Sequence, residues 1–337
     1  MSAIVSSYDT CLQSPLAMRL TGIRKFIGNT PLKQLADEKT ELFVKLEYTN
    51  YSGSIKDRAV FNILSNAVAQ GLVNEKTTIV ESSSGNFAIS LASMCRTLGL
   101  KSIVVIDPNI NADYEKALNV LADKVVKVTQ RDKTGGFLLT RIETVEEICA
   151  SKRNVYWTNQ YENPNNFMAY YNGLGVEICE EMKTLDYAFI GVSTCGTIAG
   201  ISKRLKEHYP AVKIIAVDID GSIIFGHAPK KRHISGLGSS KVPPLLHEAI
   251  IDDVVMVSES HIVDGSRDLL TDHAIFGGAS AGAMYYAIRH YFDATPLACK
   301  PSCLFLCPDK GHAYLDNIYN SDWVHANIDP HFQAKAF

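Results

Sequence analysis

Residues 78–106 read TIVESSSGNFAISLASMCRTLGLKSIVVI. The segment opens on apolar Ile79-Val80 and turns through Ser82-Ser83-Ser84-Gly85-Asn86. It then sets Phe87, Ile89, Leu91, Ala92, Cys95 and Leu98 mostly along one side of a helix that Gly99 stops. Ser102 to Ile106 follows as a strand. Strand, helix and strand in that order are the unit from which a helix-covered parallel sheet is wound. Working outward, helices are expected from Ala59 to Ala69, Asp113 to Leu121 and Ile198 to His208. Strands are expected from Val125 to Val128, Tyr187 to Val192, Val212 to Val217, Val254 to Val257 and Ser302 to Cys307. The fold class is therefore α/β.

A chain of 337 residues, 46% of them hydrophobic, is longer than one core usually spans, so two lobes are expected. The formal net charge of -3 is spread without long like-sign runs, which gives no footprint for nucleic acid or an anionic membrane. Small molecules are the expected partners. No stretch reaches the roughly 18 apolar residues of a membrane span, and no leader pattern opens the chain, so a cytoplasmic protein is expected. The eight cysteines are scattered and expected to be reduced. Cys299, Cys303 and Cys307 repeat every four residues, but Ser302 to Cys307 reads as a buried strand and no second ligand pair stands nearby, so no metal is expected.

Four short segments carry chemistry. In Ser52-Gly53-Ser54-Ile55-Lys56-Asp57-Arg58 a lysine stands between a small-residue turn and a helix. Burial and the positive end of the helix dipole disfavour its ammonium form, and a neutral amine is what Schiff-base chemistry needs. Ser82 to Asn86 offers hydroxyls and helix N-terminal amides suited to a carboxylate. Ser193-Thr194-Cys195-Gly196-Thr197, between a strand and a helix, suits a phosphate; no lysine follows its glycine, so it is not a nucleotide P-loop. Gly278-Ala279-Ser280-Ala281-Gly282 has the spacing of a serine-hydrolase elbow, with Asp309 and His312 following in the right chain order, although only Ala274-Ile275-Phe276 precedes it as a strand. Taken singly, the lysine reads first as a solvated side chain, and the serine run reads equally as an ordinary N-cap.

Taken together and in order, Gly28-Asn29-Thr30-Pro31-Leu32, Lys45-Leu46-Glu47, Ser54-Ile55-Lys56-Asp57-Arg58 and Ser84-Gly85-Asn86 resemble the fold-type II pyridoxal-phosphate family, the cysteine synthase and cystathionine β-synthase group, over roughly residues 22–320. The resemblance implies a tryptophan synthase β-like fold of two lobes, each with a mostly parallel twisted sheet. Residues 1–55 and 160–337 would form the larger cofactor-binding lobe and residues 56–159 a smaller mobile lobe, with the N-terminal segment crossing between them. It also implies pyridoxal 5'-phosphate held covalently by Lys56, with Asn86 at its phenolic oxygen, Ser193, Thr194, Cys195, Gly196 and Thr197 around its phosphate, and Ser280 facing its ring nitrogen. Ser83, Ser84, Gly85, Asn86 and Gln160 would grip the substrate α-carboxylate. A neutral hydroxyl at the ring nitrogen discourages a full carbanion sink and favours β-elimination.

Departures from the family pattern point to the acceptor. The 193–197 loop replaces a glycine-richer one, and Tyr51-Ser52 replaces a common Pro-Gly. Further segments, among them Gly135-Gly136-Phe137-Leu138-Leu139-Thr140-Arg141, Asn159-Gln160-Tyr161 and Gly221-Ser222-Ile223-Ile224-Phe225-Gly226, resemble the β-replacement synthases of siderophore and antibiotic pathways that join O-phosphoserine to glutamate, a route to 2,3-diaminopropionate. A glutamate acceptor brings two carboxylates, for which Arg141 is the first candidate, with Tyr161 and Ser193 next. In outline, Lys56 removes the α-proton, the β-substituent leaves, and the acceptor amine adds to the β-carbon. A homodimer is expected, with downstream pathway enzymes as further candidate partners. The alternatives are a cysteine synthase using O-acetylserine or O-phosphoserine, a non-catalytic amino-acid sensor on the same fold, and a serine hydrolase.

Overall fold

The computed structural model describes residues 14–133, 135–293, 297 and 299–331. The chain divides into two units. One comprises residues up to Gly28, Asn50–Ser52 and Lys56–Ala169; the other comprises Asn29–Thr49, Gly53–Ile55 and the chain from Tyr170 onward.

The first unit holds a four-stranded parallel sheet: β3 (Thr78–Ser82), β4 (Lys101–Ile106), β5 (Lys124–Lys127) and β6 (Val155–Trp157), in the order β5-β4-β3-β6. Its helices are α1 (Pro15–Arg24), α2 (Lys56–Ala69), α3 (Asn86–Leu98), α4 (Ala112–Leu121), α5 (Leu138–Ser151) and α6 (Pro164–Ala169). Alternation along β4 divides the core in two. Val104 and Ile106 pack with Ala88, Ala92 and Leu118 of α3 and α4, while Ile103 and Val105 pack with Val80, Phe137 and Val145 on the α5 side. The helix expected to stop at Gly99 does so: that glycine adopts φ 72°, and its N–H caps Cys95 and Arg96 carbonyls.

The second unit holds a six-stranded sheet in the order β1-β2-β10-β7-β8-β9, formed by β1 (Leu32–Leu35), β2 (Glu41–Leu46), β7 (Tyr187–Gly191), β8 (Lys213–Ile219), β9 (Asp253–Val257) and β10 (Ser302–Cys307). Only β1 runs antiparallel to its neighbour. Every residue of β10 is buried, as befits a strand covered on both faces. The covering helices are α7 (Gly175–Glu181), α8 (Gly196–His208), α9 (Glu259–His273), α10 (Ala279–Tyr291) and α11 (Ser321–Asn327). The β1–β2 pair, too short for a clear alternation, rests on the buried Lys45. Its ammonium donates to the Thr30 carbonyl at 2.6 Å and to Glu181 at 2.7 Å, while Thr30 donates its hydroxyl to the buried Glu47. The GNTPL and KLE segments thus hold one strand pair together. No helix among the described residues is long and apolar enough to cross a membrane.

The Gly-x-Ser-x-Gly segment caps and opens a helix that follows another helix. An elbow needs a strand immediately before its serine; here α9 ends at His273, Ala274 caps it in the left-handed region, and α10 begins at Ala279. The hydrolase alternative is thereby corrected, and helix packing explains the second glycine. A Cβ on Gly282 would lie 2.0 Å from the Ser266 hydroxyl and 2.6 Å from its backbone nitrogen, and one on Gly265 would lie 2.2 Å from the Gly282 carbonyl. Backbone cannot yield as a flexible side chain can. Gly282→Ala is expected to lower stability by about 2–3 kcal/mol, the upper part of the overpacking range, read as a lower urea midpoint at unchanged slope.

Candidate active site

Parallel sheets gather their functional loops at the carboxyl ends of their strands, and both units do so. In the first, residues 83–86 leave β3, Asp107 leaves β4, and Thr158-Asn159-Gln160 leave β6. Ser84 donates its hydroxyl to Asp107 Oδ2 at 2.9 Å and accepts from the Asp107 amide at 3.1 Å. Arg141, on the first turn of α5, donates to the Ser84 hydroxyl at 3.0 Å and sets its Nε 3.2 Å from Asp107 Oδ2, with the two side chains only 11% and 9% exposed. Arg141 also bonds the phenol of Tyr161. Burial pushes that phenol above its ordinary pKa while the guanidinium draws it back. The structure therefore brings together Ser84, Arg141 and Tyr161, and Asp107 with them.

Behind this cluster lies Glu81, fully buried at the end of β3. It accepts from the Ser82 amide at 2.7 Å, the Thr158 hydroxyl at 2.6 Å and the Gln160 amide at 3.2 Å. Burial nevertheless raises its pKa, and those donors offset part of the rise. Gln160 then returns its side-chain amide to the Ser82 carbonyl at 3.2 Å. One carboxylate so ties the residue 82–86 loop to Gln160. Ser83 is buried, with its amide on the Val105 carbonyl. Gly85 is the extended N-cap of α3 and offers no side-chain cap, and Asn86 is the first helical residue.

Lys56 opens α2, three residues before the expected start, and is partly buried. The turn ahead of it is pinned by the buried Asp57, which accepts the Ser52 amide at 2.7 Å and the Ser52 hydroxyl at 2.6 Å; that hydroxyl lies 3.0 Å from Ser90 of α3.

In the second unit, residues 193–197 leave β7 and enter α8. Thr194 and Cys195 are buried, Cys195 turns the chain in the left-handed region at φ 63°, and α8 starts at Gly196 without a side-chain cap. A helix start without a side-chain cap is the kind of backbone that suits an anion. Ser193 donates its hydroxyl to the Gly238 carbonyl at 3.1 Å, and the Gly238 amide returns to Val192 at 2.8 Å. A side chain at Gly238 would be strained, since the residue sits at φ 70° and its Cβ position lies 2.6 Å from the buried Ile219 and 2.9 Å from the Cβ of Ser222. Ser280 places a neutral, nearly buried hydroxyl on the first turn of α10.

Taken unit by unit, the groups suit pyridoxal phosphate: the second unit offers an uncapped helix start for a phosphate and a neutral hydroxyl for a ring nitrogen, and the first offers a partly buried lysine at a helix start. The sequence reading missed Asp107, Glu81 and Tyr114, whose hydroxyl donates to Asn86 Oδ1. The one signal available for the first two was a carboxylate at the carboxyl end of an apolar strand.

Comparison with known proteins agrees. N-(2-amino-2-carboxyethyl)-L-glutamate synthase of Ralstonia nicotianae is 41% identical over 88% of this chain and 89% of its own. The protein of the same name from Cupriavidus metallidurans is 38% identical over 91% and 92%. Among solved structures, the O-acetylserine-dependent cystathionine β-synthase of Helicobacter pylori superposes with a TM-score of 0.81 at 28% identity, covering 88% of this chain and 98% of that one. O-ureido-L-serine synthase gives 0.79 at 27%, covering 92% and 96%. Residues 23–309 match the pattern of the pyridoxal-phosphate dependent enzymes, and the chain belongs to that family.

Proposed function

We propose that the protein replaces the β-phosphate of O-phospho-L-serine with the amine of L-glutamate, giving N-(2-amino-2-carboxyethyl)-L-glutamate and phosphate, a precursor of 2,3-diaminopropionate for a siderophore or antibiotic. The observation that carries this reading is the Arg141 guanidinium, nearly buried beside the Ser83–Asn86 loop and flanked by Ser84 and Tyr161. A sulfide acceptor has no use for such a group, whereas a dicarboxylate needs one. The names of the two curated relatives point the same way.

Bound at Lys56, the cofactor would supply an electron sink for the substrate α-carbon. Residues 83–86 and Gln160 would orient the substrate carboxylate, Asn86 and Ser280 would meet the cofactor's phenolic oxygen and ring nitrogen, and the first amides of α8 would hold its phosphate. The Lys56 amine would take the α-proton and later return it. Arg141, Tyr161 and Ser193 would receive the acceptor. The same reading takes the enzyme to be a cytoplasmic homodimer; its seven described cysteines are free thiols, as a reducing compartment keeps them.

The test is mass spectrometry of products after incubation with each donor and acceptor in competition. O-phosphoserine with glutamate is expected to give the adduct as the dominant product. Preferential cysteine formation from sulfide and O-acetylserine would replace this reading with a cysteine synthase.

A further inference from the structure

An asparagine can present its amide in two orientations of nearly equal shape, one offering the NH2 and the other the carbonyl oxygen. Only the first suits an oxyanion. Tyr114 stands where this choice is made: its hydroxyl donates to Oδ1 of Asn86, the first residue of α3. Tyr114 is itself well placed. Its backbone amide bonds the Asn111 side chain that caps α4, at 3.3 Å, and its ring packs against the apolar cluster of Ala88, Ala92 and Leu118.

We propose that Tyr114 is a positioning residue that fixes the Asn86 amide with its NH2 turned toward the cofactor's phenolic oxygen and strengthens it as a donor. The inference rests on the assignment of Asn86 made above. A phenol is a better donor than acceptor, because its oxygen lone pair is shared with the ring, so the carbonyl edge of the amide is drawn to Tyr114. A hydrogen bond accepted at the amide oxygen also pulls electron density from the nitrogen, and its N–H bonds strengthen cooperatively. With the cofactor bound, a stronger Asn86 donor would favour the deprotonated form of its phenolic oxygen. Tyr114 touches neither cofactor nor substrate in this scheme and acts entirely through Asn86.

The test uses the holoenzyme and the variants Tyr114→Phe, Asn86→Ala and the double variant. It measures the dissociation constant of pyridoxal phosphate and the pH titration of the visible band against the near-ultraviolet one. Tyr114→Phe is expected to weaken cofactor binding about fivefold, the worth of one net hydrogen bond, and to move the midpoint so that the visible band loses intensity. In the Asn86→Ala background the same change is expected to alter binding less than about twofold, since the path through the amide is gone. Equal effects with and without Asn86, or an unmoved titration in Tyr114→Phe, would overturn the proposal and leave Tyr114 as a packing residue. A wild-type protein that binds no cofactor would overturn the Asn86 assignment and this proposal together. Should Tyr114→Phe fold poorly, Tyr114→Trp, which retains a ring but moves its donor, is expected to show the same loss of the visible band; an unmoved band there would count equally against the proposal.

Discussion

Lys56→Ala is expected to give a colourless, folded protein whose product formation falls by about 10³-fold or more, since both the covalent hold on the cofactor and the general base are lost at once. The fold is not the casualty. Lys56 is the first residue of α2, where alanine is at least as good a helix former, and the start of that helix is held by Asp57 on Ser52 rather than by the lysine's own position. The lysine matters through its nitrogen. Under the proposed function that nitrogen is both the cofactor's anchor and the base that takes the α-proton. Three readouts belong together: absorbance, the rate of adduct formation, and peptide mapping after borohydride reduction. Retention of the visible band in Lys56→Ala, or a trapped adduct at another lysine, would remove the assignment on which the proposed function stands.

Much of this architecture was written locally. Strand, small-residue turn and helix stand consecutively in 78–106 and again in 187–208, so both candidate anion loops could be placed from sequence alone. What shifted was the first turn of helices. The helices expected from Ala59 and Ile198 begin at Lys56 and Gly196, because the residues of those first turns, Lys56-Asp57-Arg58 and Gly196-Thr197, are not apolar and so do not register in the apolar period. Strands of three or four residues, β1 and β6, were too short for alternation to register. The Gly278–Gly282 spacing was ambiguous for a different reason: a glycine required by a neighbouring helix looks in sequence like one required by a turn, and only Ser266 beside Gly282 separates the two.

The site was legible where one segment sufficed and obscure where it was built from several. Asp107 reads as an ordinary polar residue after a strand until Arg141 is folded against it, and Glu81 gains meaning only from Thr158 and Gln160. Tyr114 likewise carries no pattern of its own; its relation to Asn86 exists only once α4 lies beside α3. A charge at the end of a strand is usually solvated, so its partner must be seen before it counts as part of a site.

Arg141→Ala is the second large effect, and it separates acceptor from donor. Under the proposed function the guanidinium takes a carboxylate of glutamate, so its removal is expected to raise KM for glutamate roughly tenfold to a hundredfold. That corresponds to the loss of a charge-assisted pair of about 1.5–3 kcal/mol. KM for O-phosphoserine is expected to change by less, about threefold to fivefold, because Gln160 is anchored through Glu81, and Ser84, though it loses the Arg141 donor, keeps both hydrogen bonds with Asp107. Some stability is expected to go too, since Asp107 would remain buried on Ser84 with its cation removed. Asp107→Asn resolves that ambiguity. It keeps a hydrogen-bonding group beside Ser84 but frees Arg141 from a resident anion with which any incoming carboxylate must compete, so KM for glutamate is expected to fall or hold steady. Arg141→Lys keeps the charge and loses the planar fork, and is expected to lie between Arg141→Ala and the wild type. Steady-state kinetics with each substrate varied in turn decide the matter. If Arg141→Ala leaves KM for glutamate untouched and raises that for O-phosphoserine, the guanidinium serves the phosphate of the donor, and the acceptor must be recognised elsewhere.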